Sequence, residues 1–330
     1  MPLDVINDFL RHLQSDRWYK TWPDSIPEKE DLHACTLVCR TWRPLAQRYL
    51  FHDICYSFVN SSDDSAYGQV AQTAGRWVAS DIHYPRWVPR KTFNMFYDFL
   101  RQSPNFAAHV RRLAFMPRYP GFHSPSVEYE VGLALFIDLM ERLPQLRELV
   151  LNNFTLEIPA EFHFPSPPCG PSLSRLSILR RGLQLSAPGL AAVLGCFSGA
   201  KELRLIGMDL LGWRLVGDDP HGASSLVPAS LAKVHRLTLN AAEPQKYMGV
   251  LSRFIRLDTV RSITFMPQKP SLYQSLIDAT TSSLEELTVC FTAEESREPI
   301  REYLRIWLVA FTVLKRPSET GACPLYCCMP

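Results

Sequence analysis

The residues best suited to chemistry are few and scattered along the chain. The histidines, His12, His33, His52, His83, His109, His123, His163, His221 and His235, do not gather into a ligand set, and His-Glu-x-x-His is absent. The acidic pairs Asp63-Asp64, Asp218-Asp219 and Glu294-Glu295 lie in polar, loop-like surroundings. General acid–base carboxylates need partly buried, environment-shifted positions, so these pairs read as solvated turns. The sequence has neither a Gly-x-x-x-x-Gly-Lys-[Ser/Thr] phosphate loop nor a Gly-x-Ser-x-Gly nucleophile turn. Between Arg76 and Lys91, Trp77, His83, Tyr84 and Trp87 alternate with Arg86 and Arg90, a mixture that can clamp single-stranded nucleic acid. Pro85 and Pro89 interrupt it, and it reads instead as an insertion loop whose aromatics pack on the rest of the chain. Nine cysteines, an odd number in a chain of 330 residues, argue against a disulfide scaffold. Cys35 and Cys39, one helical turn apart, read as core thiols. Cys323, Cys327 and Cys328 lack the second ligand pair a zinc site needs, and a terminal Pro330 fits a prenylation signal poorly. These residues predict no catalytic centre, cofactor or metal.

What remains is a chain built to fold and to be touched. Hydrophobic residues make up 46% and charged residues 21%, ordinary values for a globular protein. Lys plus Arg number 35 against 33 Asp plus Glu, so no electrostatic footprint marks it for nucleic acid or an anionic membrane. With no apolar run of transmembrane length and no signal-peptide pattern at the N-terminus, a cytoplasmic or nuclear location is expected.

The first fifty residues are helical in pattern. Val5, Ile6, Phe9, Leu10 and Leu13 fall on one side of a helix that Pro2 is suited to open. Residues 14–28 are polar and loop-like. A second helical pattern opens near Glu30 and Asp31, whose charges suit a helix N-terminus, and continues through Leu32, Cys35, Val38, Cys39, Trp42, Leu45, Ala46 and Tyr49. Pro44 lies inside it and predicts a kink or a break near Arg43. A unit this small cannot bury its whole apolar face, and the excess predicts a partner-binding surface.

Met1-Pro2 with Val5, Phe9 and Leu13, then Leu32-x-x-Cys35 running into Leu37-Val38-Cys39-Arg40-Thr41-Trp42, then Leu50-Phe51, resembles the F-box over residues 1–52. Met1 stands where the pattern opens with Leu, and the loop before Glu30 is longer than the pattern has. The resemblance implies docking on a Skp-type adaptor joined to a cullin scaffold. The adaptor-binding residues it implies are Pro2, Val5, Phe9, Leu13, Leu32, Leu37, Val38, Trp42 and Leu45.

Beyond residue 52 a short motif recurs: apolar, two residues, apolar, one residue, apolar. Its central positions are 113, 149, 176, 203, 237, 263 and 287, with steps of 36, 27, 27, 34, 26 and 24. Most steps fall in or near the range of leucine-rich repeats, and the two longest need insertions. Ile54-Tyr56-Phe58 alternates like an opening strand. Between strand motifs stand helical stripes: Phe93, Phe96, Tyr97, Leu100; Leu135, Phe136, Leu139, Met140, Leu143; Leu190, Val193, Leu194, Phe197; Tyr247, Val250, Leu251, Phe254; and Tyr273, Leu276, Ile277. Ile300, Leu304, Trp307, Leu308 and Phe311 would make a capping helix. The turn Asn or Cys of full repeats is missing: Phe154 and Met208 stand where it belongs, so the repeats are degenerate. A doubly wound enzyme fold would need a Gly-rich turn after an early strand, which is absent.

The expected fold is therefore α/β: a small N-terminal helical F-box-like motif at 1–52, then an α/β leucine-rich-repeat solenoid, a horseshoe, at 53–316. An insertion loop lies near 60–91 and a tail at 317–330. With apolar strand residues pointing inward, strand periodicity puts Arg112, Glu148, Asn152, Arg175, Ser177, Glu202, Arg204, Arg236, Thr238, Asn240, Thr264, Glu286 and Thr288 on the concave face. Their mixed charge suits a target protein rather than a polyanion. Large fungal F-box proteins of similar layout imply a substrate receptor of a ubiquitin ligase, non-enzymatic itself. A repeat scaffold with no ligase link is the alternative.

Overall fold

The computed structural model describes residues 3–13, 30–58, 92–117, 129–152, 154–158, 170–179, 187–208, 232–241, 251–265 and 274–289. Pro2, the expected loop at 14–28, the expected insertion near 60–91, the expected capping helix from Ile300 to Phe311 and the tail at 317–330 lie outside them.

Three helices open the chain: α1 (Leu3–Leu13), α2 (Glu30–Val38) and α3 (Trp42–Leu50). Ile6, Leu10, Leu32, Cys35 and Ala46 close a small core, with Trp42, Leu45, Tyr49 and Leu50 packed against it. The break between α2 and α3 falls at 39–41, earlier than the Arg43 position that Pro44 suggests. Pro44 instead occupies the first turn of α3, where its missing N–H has no intrahelical partner to lose. Arg43 secures the break: its backbone N–H donates to the Cys39 carbonyl at 3.1 Å, and its side chain donates to the Thr36 carbonyl at 3.4 Å.

The rest is mixed α/β around a parallel sheet that does not close into a barrel. Its strands are β1 (Asp53–Phe58), β2 (Arg112–Pro117), β4 (Glu148–Asn152), β6 (Leu173–Leu179), β7 (Gly199–Met208), β8 (Ala232–Ala241), β10 (Ser262–Phe265) and β11 (Glu286–Val289), lying side by side in chain order. β9 (Ile255–Arg256) adds to β8, making nine strands, and β3 (Tyr129–Gly132) pairs with β5 (Phe154–Glu157) in a separate ribbon. Every strand pair among the described residues is parallel.

Parallel neighbours need a crossover between them, and the helices α4 (Phe93–Gln102), α6 (Leu133–Glu141), α7 (Ala187–Gly195) and α8 (Gln274–Thr280) lie in those crossovers. Residues 251–254 form a further helical turn, and α5 (Pro104–Ala107) extends α4. The helical stripes are the buried ones: Phe93, Phe96 and Leu100 of α4 and Phe136, Leu139 and Met140 of α6 join Leu113, Phe115, Leu149, Leu151, Leu176, Ile178, Leu203, Leu205, Leu237, Leu239, Ile263 and Phe265 in one core. Each such side chain removed from water contributes about 1.5–3 kcal/mol. The crossovers before β2 and before β8 contain the undescribed stretches 59–91 and 209–231.

The strands enter the sheet by a repeated device. The His52 carbonyl accepts from the N–H groups of Arg111 and Arg112, that of Arg111 from Arg147 and Glu148, that of Arg147 from Ser174 and Arg175, and that of Arg261 from Glu285 and Glu286. These bonds fix a common register at the strand starts. They also tie the helical unit to the sheet, because β1 follows α3 directly. Phe51, at the end of α3, stacks on Phe106 of α5 with centroids 4.4 Å apart.

Candidate functional site

The first surface belongs to the helical unit. With its core closed by Ile6, Leu10 and Leu32, the unit still exposes Leu3 at 55%, Val5 at 50%, Phe9 at 46%, Leu37 at 69% and Val38 at 61%. Val5 and Phe9 are one turn apart on α1 and form a stripe beside its buried face. The Phe9 ring meets Trp42 with centroids 5.8 Å apart, so Trp42 joins this stripe to the core. Leu37 and Val38 end α2 at the break. Of the residues expected to meet an adaptor, Val5, Phe9, Leu37 and Val38 are thus exposed, Trp42 and Leu45 are half-buried, and Leu32 is buried as a packing residue. Pro2 and the Leu13 side chain are outside the described set.

The second surface is the sheet face opposite the core, and its order comes from register. Asp53, Arg112, Glu148, Arg175, Glu202, Arg236, Ser262 and Glu286 stand opposite one another on consecutive strands. Acid and base alternate along most of that line, and the groups close on each other. Arg112 lies 3.7 Å from Asp53 and 3.5 Å from Glu148, and Arg175 lies 3.4 Å from Glu148 and 2.8 Å from Glu202. Arg204, in the next column, reaches Glu202 at 2.6 Å, and His52 touches Asp53 at 2.8 Å. Burial alone would raise the Glu202 carboxyl, but hydrogen bonds donated by Arg175 and Arg204 outweigh it and hold the group below its ordinary value. The ladder is close to neutral and largely self-satisfied. Its charges are spent mainly on one another.

The column beside the ladder is Cys55, Ala114, Val150, Ser177, Arg204, Thr238, Thr264 and Thr288. Its early part is apolar and small: Ala114 and Val150 are buried, with Cys55 and Leu179 packed against them, and Ser177 is buried too. Asn152, Leu179, Ile206 and Asn240 form the third column. Strand parity also assigns Asp53, Cys55, Ala114, Val150, Leu179, Ile206 and Ser262 to these columns, beyond the residues expected from the sequence.

Among the described residues, no three His, Cys, Asp or Glu side chains converge as metal ligands. No described helix is long and apolar enough to cross a membrane. No protein-family model matches the chain, and no curated protein matches it.

Proposed function

We propose that this chain is the substrate-recognition subunit of a Skp–cullin–F-box type ubiquitin ligase, working in the cytoplasm or nucleus. On this reading, residues 1–52 dock the adaptor and residues 53–316, a degenerate leucine-rich-repeat solenoid, bind a target protein. Conjugation chemistry belongs to other subunits.

The observation that carries the proposal is the exposure of Leu3, Val5, Phe9, Leu37 and Val38 on a helical unit whose own core is already closed. A second apolar surface on so small a unit costs solubility and is recovered by a partner of matching apolar surface. Leu37-Val38-Cys39-Arg40-Thr41-Trp42, the most F-box-like run, supplies two of the exposed residues. The solenoid is supported by one strand per repeat, chain-order neighbours, and the shared register of the seven apolar motifs from Leu113 to Leu287. On the ladder face, Arg236, Asn240 and Glu286 at the β8–β11 end, which are not buried, become the principal target contacts.

Co-expression of the full chain with a Skp-type adaptor and a cullin scaffold tests this by size-exclusion chromatography. A stoichiometric three-component complex is the expected result. A folded chain that elutes alone would leave a repeat scaffold without a ligase link.

A further inference from the structure

One line of side chains is used by neither surface. The residue just before each ladder position, second in each apolar motif, runs Arg111, Arg147, Ser174, Lys201, His235, Arg261 and Glu285. Five of the seven are basic or can become so. The carbonyl-to-N–H bonds from Arg111 to Arg147, Arg147 to Ser174, His235 to Arg261 and Arg261 to Glu285 align them along the edge where the strands begin. Arg147, Lys201, His235 and Arg261 are exposed. Ser174 is neutral, and the one acidic member, Glu285, lies 3.6 Å from Arg261 at the far end. At the near end Arg48 of α3 and His109 join the line. Burial first, then the neighbouring Arg147 and Arg48, lowers the Arg111 guanidinium, and burial with Arg48 and Arg111 lowers His109; Asp53 and Tyr49 oppose the effect on Arg111 only in part. Like charges gathered this way in a nearly neutral chain repel one another until an anion joins them.

We infer that this strand-start edge is a binding rim for an acidic, extended segment of a protein partner. From β2 to β10 the rim crosses six strands, or ~24 Å at the usual strand spacing, which an extended segment of about seven residues spans. Carboxylates suit the arginines, which pair with them in bidentate fashion. A nucleic acid is the poorer fit, because none of the rim positions carries Phe, Tyr or Trp, the large rings on which successive bases stack. The inference needs only the sheet and its register, so it stands separately from adaptor docking.

The test is fluorescence anisotropy of a labelled oligoglutamate peptide with the full-length chain. Saturable binding that weakens as salt rises is expected. Arg147→Glu with Lys201→Glu, both exposed, should weaken it by about tenfold or more, and Arg147→Gln with Lys201→Gln by less. Arg11→Glu with Arg101→Glu, the same charge change on α1 and α4, should shift it by no more than about twofold. Circular dichroism establishes that each variant is folded. No saturable binding, an equal loss in the α1/α4 variant, or tighter binding of an oligothymidylate than of the peptide would each overturn the inference.

Discussion

Replacing Glu202 with Gln should destabilise the protein by more than a surface charge would. Glu202 receives hydrogen bonds from Arg175 at 2.8 Å and Arg204 at 2.6 Å, and its side chain is 15% exposed. Bonds to charged groups contribute about 1.5–3 kcal/mol when well buried. Here the guanidiniums are 25% and 37% exposed, so solvent screening reduces that figure. Glu202→Gln keeps the shape and removes the charge, leaving Arg175, Arg204 and the register neighbour Arg236 facing one another. The expected cost is about 1–2 kcal/mol, read as a lower urea midpoint at unchanged slope. A cycle with Arg175→Gln should give a coupling of roughly 1 kcal/mol.

The same group sets a pH dependence. Its folded-state pKa is depressed, so its contribution is fully present above the unfolded carboxylate value of about 4.3 and disappears as pH falls through the lower folded value. The gap between wild type and variant should hold steady from about pH 7 to 5 and close in stronger acid. A variant within about 0.3 kcal/mol of wild type at neutral pH, with a gap indifferent to acid, would show that the ladder is solvated surface.

Other perturbations follow from local geometry. A Cβ built on Gly170 would lie 2.6 Å from the Cys196 carbonyl oxygen and 2.9 Å from the Phe197 ring, so Gly170→Ala should cost about 2 kcal/mol and lower the thermal midpoint; an unchanged midpoint would mean that the bridge from Gly170 to Phe197 yields easily. Cys39 is exposed and its thiol is lowered, chiefly by the Trp42 backbone N–H, whereas burial raises Cys35; a brief iodoacetamide pulse read by tandem mass spectrometry should label Cys39 well ahead of Cys35, and equal labelling would contradict the packing of α2.

Much of the fold was legible because period-two and period-3.6 patterns report burial directly. Leu113, Leu149, Leu176, Leu203, Leu237, Ile263 and Leu287 were read as strand centres, and all lie in one register. The stripe Phe93, Phe96, Tyr97 and Leu100 is α4. The break expected near Arg43 falls at 39–41, because Pro44 can either end a helix or sit in its first turn, and the Arg43 bonds to Cys39 and Thr36 decide between the two. The pairing of β3 with β5 was not anticipated, since Tyr129–Gly132 and Phe154–Glu157 are too short to carry a pattern. On the sheet face, parity identified Arg112, Glu148, Arg175 and Glu202 as outward-pointing. Their mutual pairing depends on alignment between residues 27 to 36 apart in sequence, which no single segment encodes. The basic rim was hidden for the same reason: Arg111, Arg147, Lys201 and His235 look like ordinary solvated charges until register stacks them.

The most direct test of the central claim is calorimetric titration of the full-length chain with a purified Skp-type adaptor, beside Leu37→Asp and Val38→Asp variants. Both side chains are exposed, at 69% and 61%, so both variants should keep the wild-type circular dichroism. The account predicts saturable one-to-one binding by wild type and its loss in both folded variants. Wild-type binding that survives both substitutions, or a well-folded wild type that does not bind at all, would contradict it.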